Sequence, residues 1–100
     1  DRRIAFTKAT PYTIYRKEDL ARTADTLLFF NNIEASFVIG KIGKDTIGVS
    51  ARSLGNYDIS KIMTKLGGGG TPQQGAAKFE KTTISKVEQD VKKIIKEMGE

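Results

Sequence analysis

Residues 47–77 read IGVSARSLGNYDISKIMTKLGGGGTPQQGAA, and the predicted fold is organised around this stretch. A strand of small residues leads into a short helix, and the helix runs into four consecutive glycines at positions 67–70. Glycine reaches positive φ freely and allows close backbone approach, but each one costs roughly 0.5–1 kcal/mol relative to alanine in a regular element. A run of four glycines is therefore a local liability, which calls for a role beyond chain flexibility.

The rest of the sequence predicts a small α/β domain, with a mixed β-sheet and packed helices. The predicted elements are strands at 2–7, 35–41, 46–52 and 77–81, helices at 17–30 and 84–98, a short helix after the N-cap Asp58, and a helical turn or two at 72–77. The short connection at 42–45 predicts an antiparallel hairpin. Pro72 favours the start of a helix, because a first-turn proline loses a donor that has no partner there anyway.

Two apolar runs predict where the core lies. Phe37, Val38 and Ile39 are consecutive, which is typical of a strand covered on both faces. Phe29 and Phe30 end the first predicted helix. Because Phe is among the most often buried residues, we expect this pair to pack in the core rather than to form a stacking platform.

Length and composition limit the possible functions. The chain has 100 residues and begins with Asp rather than Met, so we expect one domain cut from a longer protein. It has no Cys and no His, which excludes disulfides, Cys/His zinc sites and His-based catalysis. No apolar run approaches the roughly 18–20 residues that span a bilayer, and no signal-peptide pattern opens the sequence.

The net charge of +5 comes from 17 basic and 12 acidic residues. The excess is dispersed along the chain, and no dense basic arm is present. Such a surplus usually marks a solvated surface. Attraction of a phosphate-bearing ligand is the functional alternative, and charge alone does not separate the two.

Anion binding is a stronger expectation than catalysis by this chain alone. No two carboxylates stand at a spacing that forces them into one cleft, and Ser50 and Ser53 lack a candidate base. A glycine loop that enters a helix exposes N–H groups to an anion, and an Arg52 guanidinium or a Ser53 hydroxyl can bind phosphate. We therefore hypothesise that Arg52, Ser53 and the backbone of 68–71 converge on a phosphate. The alternative is a helix C-cap followed by flexible filler.

The glycine run matches neither of two well-known phosphate-binding motifs. No Gly-Lys-Ser/Thr follows the glycines, which excludes a Walker A loop. The preceding element is a helix rather than a strand, which excludes a dinucleotide fingerprint.

The segment SARSLGNYDISKIMTKLGGGG, followed by QQGAA, resembles the DHHA1 domain, the C-terminal half of DHH-type phosphoesterases. In that family a small-residue strand with a Ser-x-Arg-Ser-like motif precedes a helix and a Gly-Gly-Gly-His motif. The detail is most similar to the membrane-anchored GdpP-type cyclic-di-AMP phosphodiesterases of Gram-positive bacteria. The resemblance covers most of the chain, from the first strand to the last helix.

The resemblance implies a division of labour between two domains. A preceding DHH domain would hold a manganese pair that activates water for attack on a phosphodiester. The present domain would hold the substrate, a cyclic dinucleotide or a short oligonucleotide, and would not be active alone. By motif match, the residues implied to bind it are Arg52, Ser53, Gly67, Gly68, Gly69, Gly70 and Thr71. The implied location is a cytoplasmic domain of a membrane-anchored signalling enzyme, without membrane contact of its own, and a homodimer is a further expectation.

One position departs from the family pattern. Thr71 stands where the family has histidine, and it offers one hydroxyl and no charge. We therefore expect weaker substrate binding or slower turnover than in a relative with the histidine. Two alternatives stay open: the same domain in a soluble DHH oligoribonuclease or nucleotide bisphosphate phosphatase, and a non-catalytic nucleotide-binding or dimerisation module.

Overall fold

The computed structural model describes residues 3–99 of the chain, which form a five-stranded mixed sheet and three helices. The elements are β1 (Ile4–Lys8), α1 (Lys17–Leu27), β2 (Ala35–Gly43), β3 (Thr46–Ser53), α2 (Ile59–Lys65), β4 (Gly69–Gly70), β5 (Gln74–Glu80) and α3 (Ile84–Gly99). The predicted α/β class with a mixed sheet is confirmed. Residue 2, where the first predicted strand began, lies outside the described range.

The strands lie in the order β1-β2-β3-β5-β4. β1 and β2 are parallel and are joined through α1, whereas the other neighbours are antiparallel. The predicted hairpin is confirmed, since β2 and β3 pair directly from Ala35 opposite Ser53 to Gly43 opposite Thr46. β5 pairs with β3 along its whole length, which places the glycine-rich segment at one side of the sheet.

The sheet has helices on both faces. On one face α2 and α3 cover Phe37, Ile39, Val49 and Ala51, and this face holds the larger core cluster. On the other face α1 covers Val38 with Leu20 and Ala24. Val38 and its two neighbours in β2 are therefore covered from both sides, as predicted.

A buried hydroxyl attaches α1 to its face of the sheet. The hydroxyl of Ser36 on β2 donates to the carbonyl oxygen of Ala24 at 2.7 Å. The Ser36 side chain is fully buried, and this bond satisfies both polar groups.

Two predicted helix N-caps are confirmed. The carboxylate of Asp58 accepts from the backbone N–H groups of Ser60 and Lys61, so it is the N-cap of α2. The pKa of Asp58 is lowered, and the largest cause is a hydrogen bond that the Ser60 hydroxyl donates to its carboxylate. Thr83 caps α3 by accepting from the N–H of Lys86 at 3.1 Å.

The predicted burial of Phe29 and Phe30 is wrong. Their exposed fractions are 85% and 60%. The helix α1 ends at Leu27, and the next three N–H groups bond three residues back, which tightens the backbone into a turn. Asn32 then leaves the turn at a φ of 69°. Both rings follow the last helical turn and lie outside the cluster that α1 buries, which contains Leu20, Ala24 and Val38.

The predicted helical turn at 72–77 is also wrong. After Gly70 the chain reverses, and from Gln74 it runs as β5. The N–H of Thr71 donates to the carbonyl oxygen of Gln74 at 2.7 Å, which closes the reversal. Pairing with β3 supplies a partner for the backbone of 74–80, and this tertiary pairing overrides the local helix signal of Pro72. The glycine run therefore does not open a helix.

Candidate phosphate-binding groove

The first glycine of the run terminates α2. Gly67 has a φ of 87°, a conformation that favours glycine. Its N–H donates to the carbonyl oxygen of Thr64 at 3.1 Å, and the N–H of Gly68 donates to that of Met63 at 2.8 Å. This pair of bonds is the Schellman motif, which satisfies carbonyl groups at a helix end.

Two further glycines allow β4 to approach β5. A Cβ on Gly68 would collide with the carbonyl oxygen of Ala76 and would lie 2.8 Å from the Cα of Ala77. Gly70 has a φ of 155°, and a Cβ there would collide with the carbonyl oxygen of Gln74. The fold itself therefore requires glycine at both positions.

Gly69 differs from the other three. It has no positive φ, and a Cβ built on it would meet no atom within 4 Å beyond its immediate neighbours. It pairs with Ala76 of β5, which in turn pairs with Ser50 of β3. Because paired residues share a face of a sheet, the open side of Gly69 lies on the face that carries α1.

These residues form the floor of a groove beside α1. The floor consists of small residues: Ser50, Ala76 and Gly69 lie side by side on three strands, and Gly48 lies two residues before Ser50 on β3. The first turns of α1 form the wall, with Lys17 among the residues that line it.

Two adjoining cavities make up this groove. The larger, about 430 Å³, is lined by Arg52, Gly69, Gly70 and Thr71 together with the first turns of α1. The smaller, about 200 Å³, is lined by Gly67 and Gly68 and by apolar side chains that include Leu20 and Ile42. Lys17, Ser50 and Ala76 line both cavities, so the two are continuous.

Arg52 is the largely buried cation of the larger cavity. Its side chain is only 16% exposed, and its Nε donates to Oδ1 of Asp25 on α1 at 2.7 Å. Its Nη1 donates to the carbonyl oxygen of Ala51 at 2.9 Å. A guanidinium has five N–H donors, so three remain beyond these two bonds. The groove thus combines a fixed, partly desolvated cation with a floor that admits close approach.

The structure does not bring Ser53 to this groove. Successive residues of a strand point to opposite faces, so Ser53 lies on the face opposite Arg52, where it is buried. Its hydroxyl accepts from the N–H groups of Gly55 at 2.9 Å and Tyr57 at 3.3 Å. The expected convergence of Arg52 and Ser53 on one phosphate is therefore wrong; Ser53 instead shapes the loop before α2.

Thr71 lies at the edge of the larger cavity, but its hydroxyl already has partners. The oxygen accepts from the N–H groups of Gln73 at 3.3 Å and Gln74 at 3.2 Å. These bonds hold the reversal between β4 and β5. The threonine therefore supports the turn that positions Gly69 and Gly70.

Two residues of the groove escaped the sequence reasoning as binding candidates. Ser50 precedes Arg52 by two positions, so strand alternation alone would have placed it on the same face. Lys17 lies thirty-five residues before Arg52 in the sequence. Only the packing of α1 on the sheet brings it to the groove, and no local signal could have found it.

The described part of the chain holds no cluster of metal ligands. Within residues 3–99, no group of three or more Asp, Glu, His or Cys side chains is placed to hold a metal ion. In the same range, no helix is long and apolar enough to cross a membrane.

Comparison with known families matches residues 5–100 to the DHHA1 domain. The chain belongs to the DHHA1 family. The cyclic-di-AMP phosphodiesterase GdpP of Geobacillus thermodenitrificans is 41% identical over 92 residues, which are 92% of this chain and 14% of that protein. The cyclic-di-AMP phosphodiesterase PdeA of Listeria monocytogenes is 42% identical over 71 residues, which are 71% of this chain and 11% of that protein.

A solved structure supports the fold of this DHHA1 domain. An exopolyphosphatase-related protein from Bacteroides fragilis superposes with a TM-score of 0.65 at 24% identity, over 86% of this chain and 26% of that one. At that identity the likeness concerns the fold alone. The chain thus spans a small part of each protein it resembles, and direct substrate contact by the motif residues stays a prediction.

Proposed function

We propose that this DHHA1 domain binds the substrate of a DHH-family phosphodiesterase that hydrolyses cyclic-di-AMP. The observation that carries the proposal is Arg52, a largely buried guanidinium beside a floor of small residues, with three N–H donors beyond its two hydrogen bonds within residues 3–99. Two relatives named as cyclic-di-AMP phosphodiesterases are at least 41% identical to the chain over the aligned residues. A buried guanidinium suits a phosphodiester because its planar donors match two phosphate oxygens.

The two cavities of the groove suit the two parts of a nucleotide. The phosphate group lies against Arg52 and the backbone at Gly69, where nothing blocks close approach. A planar base fits the smaller cavity, whose lining is mainly apolar and includes Leu20 and Ile42. Lys17 lies where the cavities meet and adds positive charge to both.

The hydrolytic step belongs to another part of the parent chain. The described side chains of this domain cannot hold a metal pair, so we derive no catalytic step from them. A preceding DHH domain with manganese would supply the activated water. We place the parent at the bacterial membrane, with this domain on the cytoplasmic side, on the strength of the motif resemblance.

Replacement of Arg52 in the parent enzyme tests the proposal. Arg52→Ala should lower kcat/KM for cyclic-di-AMP by about 10- to 100-fold, because a charge-assisted hydrogen bond contributes roughly 1.5–3 kcal/mol. Arg22→Ala is the matched control, since Arg22 is an exposed arginine of α1 whose ion pair is with Asp19. An Arg52→Ala enzyme as active as the Arg22→Ala enzyme would contradict the proposal.

The same assay separates the alternative substrates. If the wild-type parent cleaves a linear dinucleotide in preference to cyclic-di-AMP, the substrate class is short oligonucleotides. If this domain alone binds the cyclic dinucleotide tightly in calorimetry, it is a binding module in its own right. We expect weak binding instead, because the partner domain contributes the other half of the site.

A further inference from the structure

Asp25 of α1 contacts Arg52, the largely buried cation of the groove. Its Oδ1 lies 2.7 Å from Nε of Arg52, and the carbonyl oxygen of Ala51 holds Nη1 at 2.9 Å. The Arg52 side chain is 16% exposed, whereas that of Asp25 is 59% exposed. Two bonds from two different elements therefore fix the guanidinium plane at the side of the larger cavity.

This fixation leaves the outer end of the guanidinium available. Arginine has five N–H donors, and Asp25 and Ala51 accept from one each. The three remaining donors all lie on the two terminal nitrogens. A pair of terminal N–H groups can bind two oxygens of one phosphate in a bidentate manner.

We propose that Asp25 is a positioning residue, which holds Arg52 in the orientation that binds phosphate in the groove. The proposal rests on the function proposed above, in which Arg52 contacts the phosphate. Without Asp25 the guanidinium keeps its charge but regains rotational freedom, and binding must then order the side chain again.

Charge alone predicts the opposite effect of removing Asp25. Its carboxylate is an anion beside a site for anions, so its loss should tighten binding by simple Coulomb attraction. Positioning predicts weaker binding instead. The sign of the change therefore distinguishes the two effects.

Three variants separate orientation from charge. Asp25→Ala removes both the charge and the acceptor, and we expect phosphate binding about 2- to 10-fold weaker, the penalty for ordering one flexible side chain. Asp25→Asn removes the charge but keeps an Oδ1 acceptor, and we expect binding at least as tight as that of the wild type. Glu18→Gln is the control for charge alone, because Glu18 borders the same cavity yet forms no ion pair with Arg52 within residues 3–99. It should strengthen binding.

Two measurements provide the readout. In the parent enzyme, Asp25→Ala should raise KM for cyclic-di-AMP with little change in kcat. In the present chain, titration with inorganic phosphate is followed by the NMR signal of the Arg52 Nε–H group. That signal should shift on titration in the wild type and in Asp25→Asn, and it should move upfield and respond only at higher phosphate in Asp25→Ala.

The outcomes distinguish a failure of the proposed role of Asp25 from a failure of the proposed function. If Asp25→Ala binds phosphate as tightly as the wild type or more tightly, Asp25 does not position Arg52. If Asp25→Asn weakens binding as much as Asp25→Ala, the charge rather than the acceptor matters, and the inference also fails. If the parent does not hydrolyse cyclic-di-AMP, the proposed substrate is wrong, and the phosphate titration still decides the role of Asp25.

Discussion

The two faces of the sheet are built differently. The face under α2 and α3 is filled by large side chains that are fully buried, among them Phe37, Ile39 and Met63. On the face that carries α1, the strands β3, β5 and β4 present the small residues Gly48, Ser50, Ala76 and Gly69, which line the groove. The fold thus draws its stability mainly from one face and leaves a groove on part of the other.

This difference explains how the domain tolerates a run of glycines. Burial of apolar area contributes about 25 cal/mol per Å², and the face under α2 and α3 holds most of the buried apolar residues. Small residues contribute little to such a core. The domain therefore tolerates them only where the other face of the sheet supplies the stability. The same smallness lets a ligand approach the backbone of β3, β5 and β4.

The largest effect should come from the packed face. Phe37→Ala should lower the free energy of unfolding by about 3–5 kcal/mol, as is usual for a buried Phe. Phe37 is fully buried, and its ring stacks on that of Phe6 with centroids 5.3 Å apart. Ser50→Ala on the groove face is the control, and it should change stability by less than about 1 kcal/mol. Chemical denaturation of both variants checks this, and equal losses would show that the two faces contribute alike.

Within the glycine run, substitutions at two neighbouring positions should have different effects on stability, both smaller than that of Phe37→Ala. Gly68→Ala should cost about 1–3 kcal/mol of stability, because the new methyl group meets the backbone of β5. Gly69→Ala should leave stability within about 0.5 kcal/mol of the wild type, since its Cβ would point into open space. In the parent enzyme, however, Gly69→Ala should raise KM, because the methyl group enters the groove.

Denaturation curves of the two glycine variants, combined with KM values of the parent, test this division. A Gly69→Ala domain as unstable as Gly68→Ala would show that Gly69 is also structural. An unchanged KM for Gly69→Ala would show that the ligand does not approach this backbone.

The sequence allowed the fold class to be predicted because its signals there are local. The hairpin, the Asp58 cap and the buried run at Phe37 each depend on residues within one or two elements. The prediction of a helical turn at 72–77 was wrong because the structure of this segment depends on a distant partner. Its proline and alanines resemble a helix start, whereas its actual partner, β3, lies more than twenty residues away.

The groove could be predicted only in part. Arg52 and the glycines were predicted from anion-binding chemistry and from the family motif. Three of the four glycines are also required by the backbone geometry. Because side chains alternate between the two faces of a strand, the sequence could have placed Ser53 on the face opposite Arg52 and Ser50 on the same face as Arg52. Asp25 and Lys17 could not have been found, because they reach the groove through the packing of α1 against the sheet.

The smallest effect should appear at the edge of the packed face, where Glu88 connects α3 to β1. Its carboxylate accepts a hydrogen bond from Nζ of Lys92 at 2.9 Å and lies 3.2 Å from Nζ of Lys8. These two contacts lower the pKa of Glu88, and the hydrogen bond from Lys92 has the larger effect. Because the pKa is lower in the folded than in the unfolded state, this stabilisation is present at neutral pH. It is lost as the pH falls through the folded-state pKa.

Glu88→Gln should therefore be less stable than the wild type at pH 7, by less than about 1 kcal/mol, and the difference should shrink below about pH 4. Asp90→Asn is the control, since the ion pair of Asp90 among residues 3–99 lies within α3, with Lys86 at 2.7 Å. Its effect at pH 7 should be smaller, because it does not connect two elements. Thermal unfolding between pH 3 and pH 7 measures both differences. A Glu88→Gln deficit that stays constant over this range would show that the charge of Glu88 does not stabilise the contact between α3 and β1.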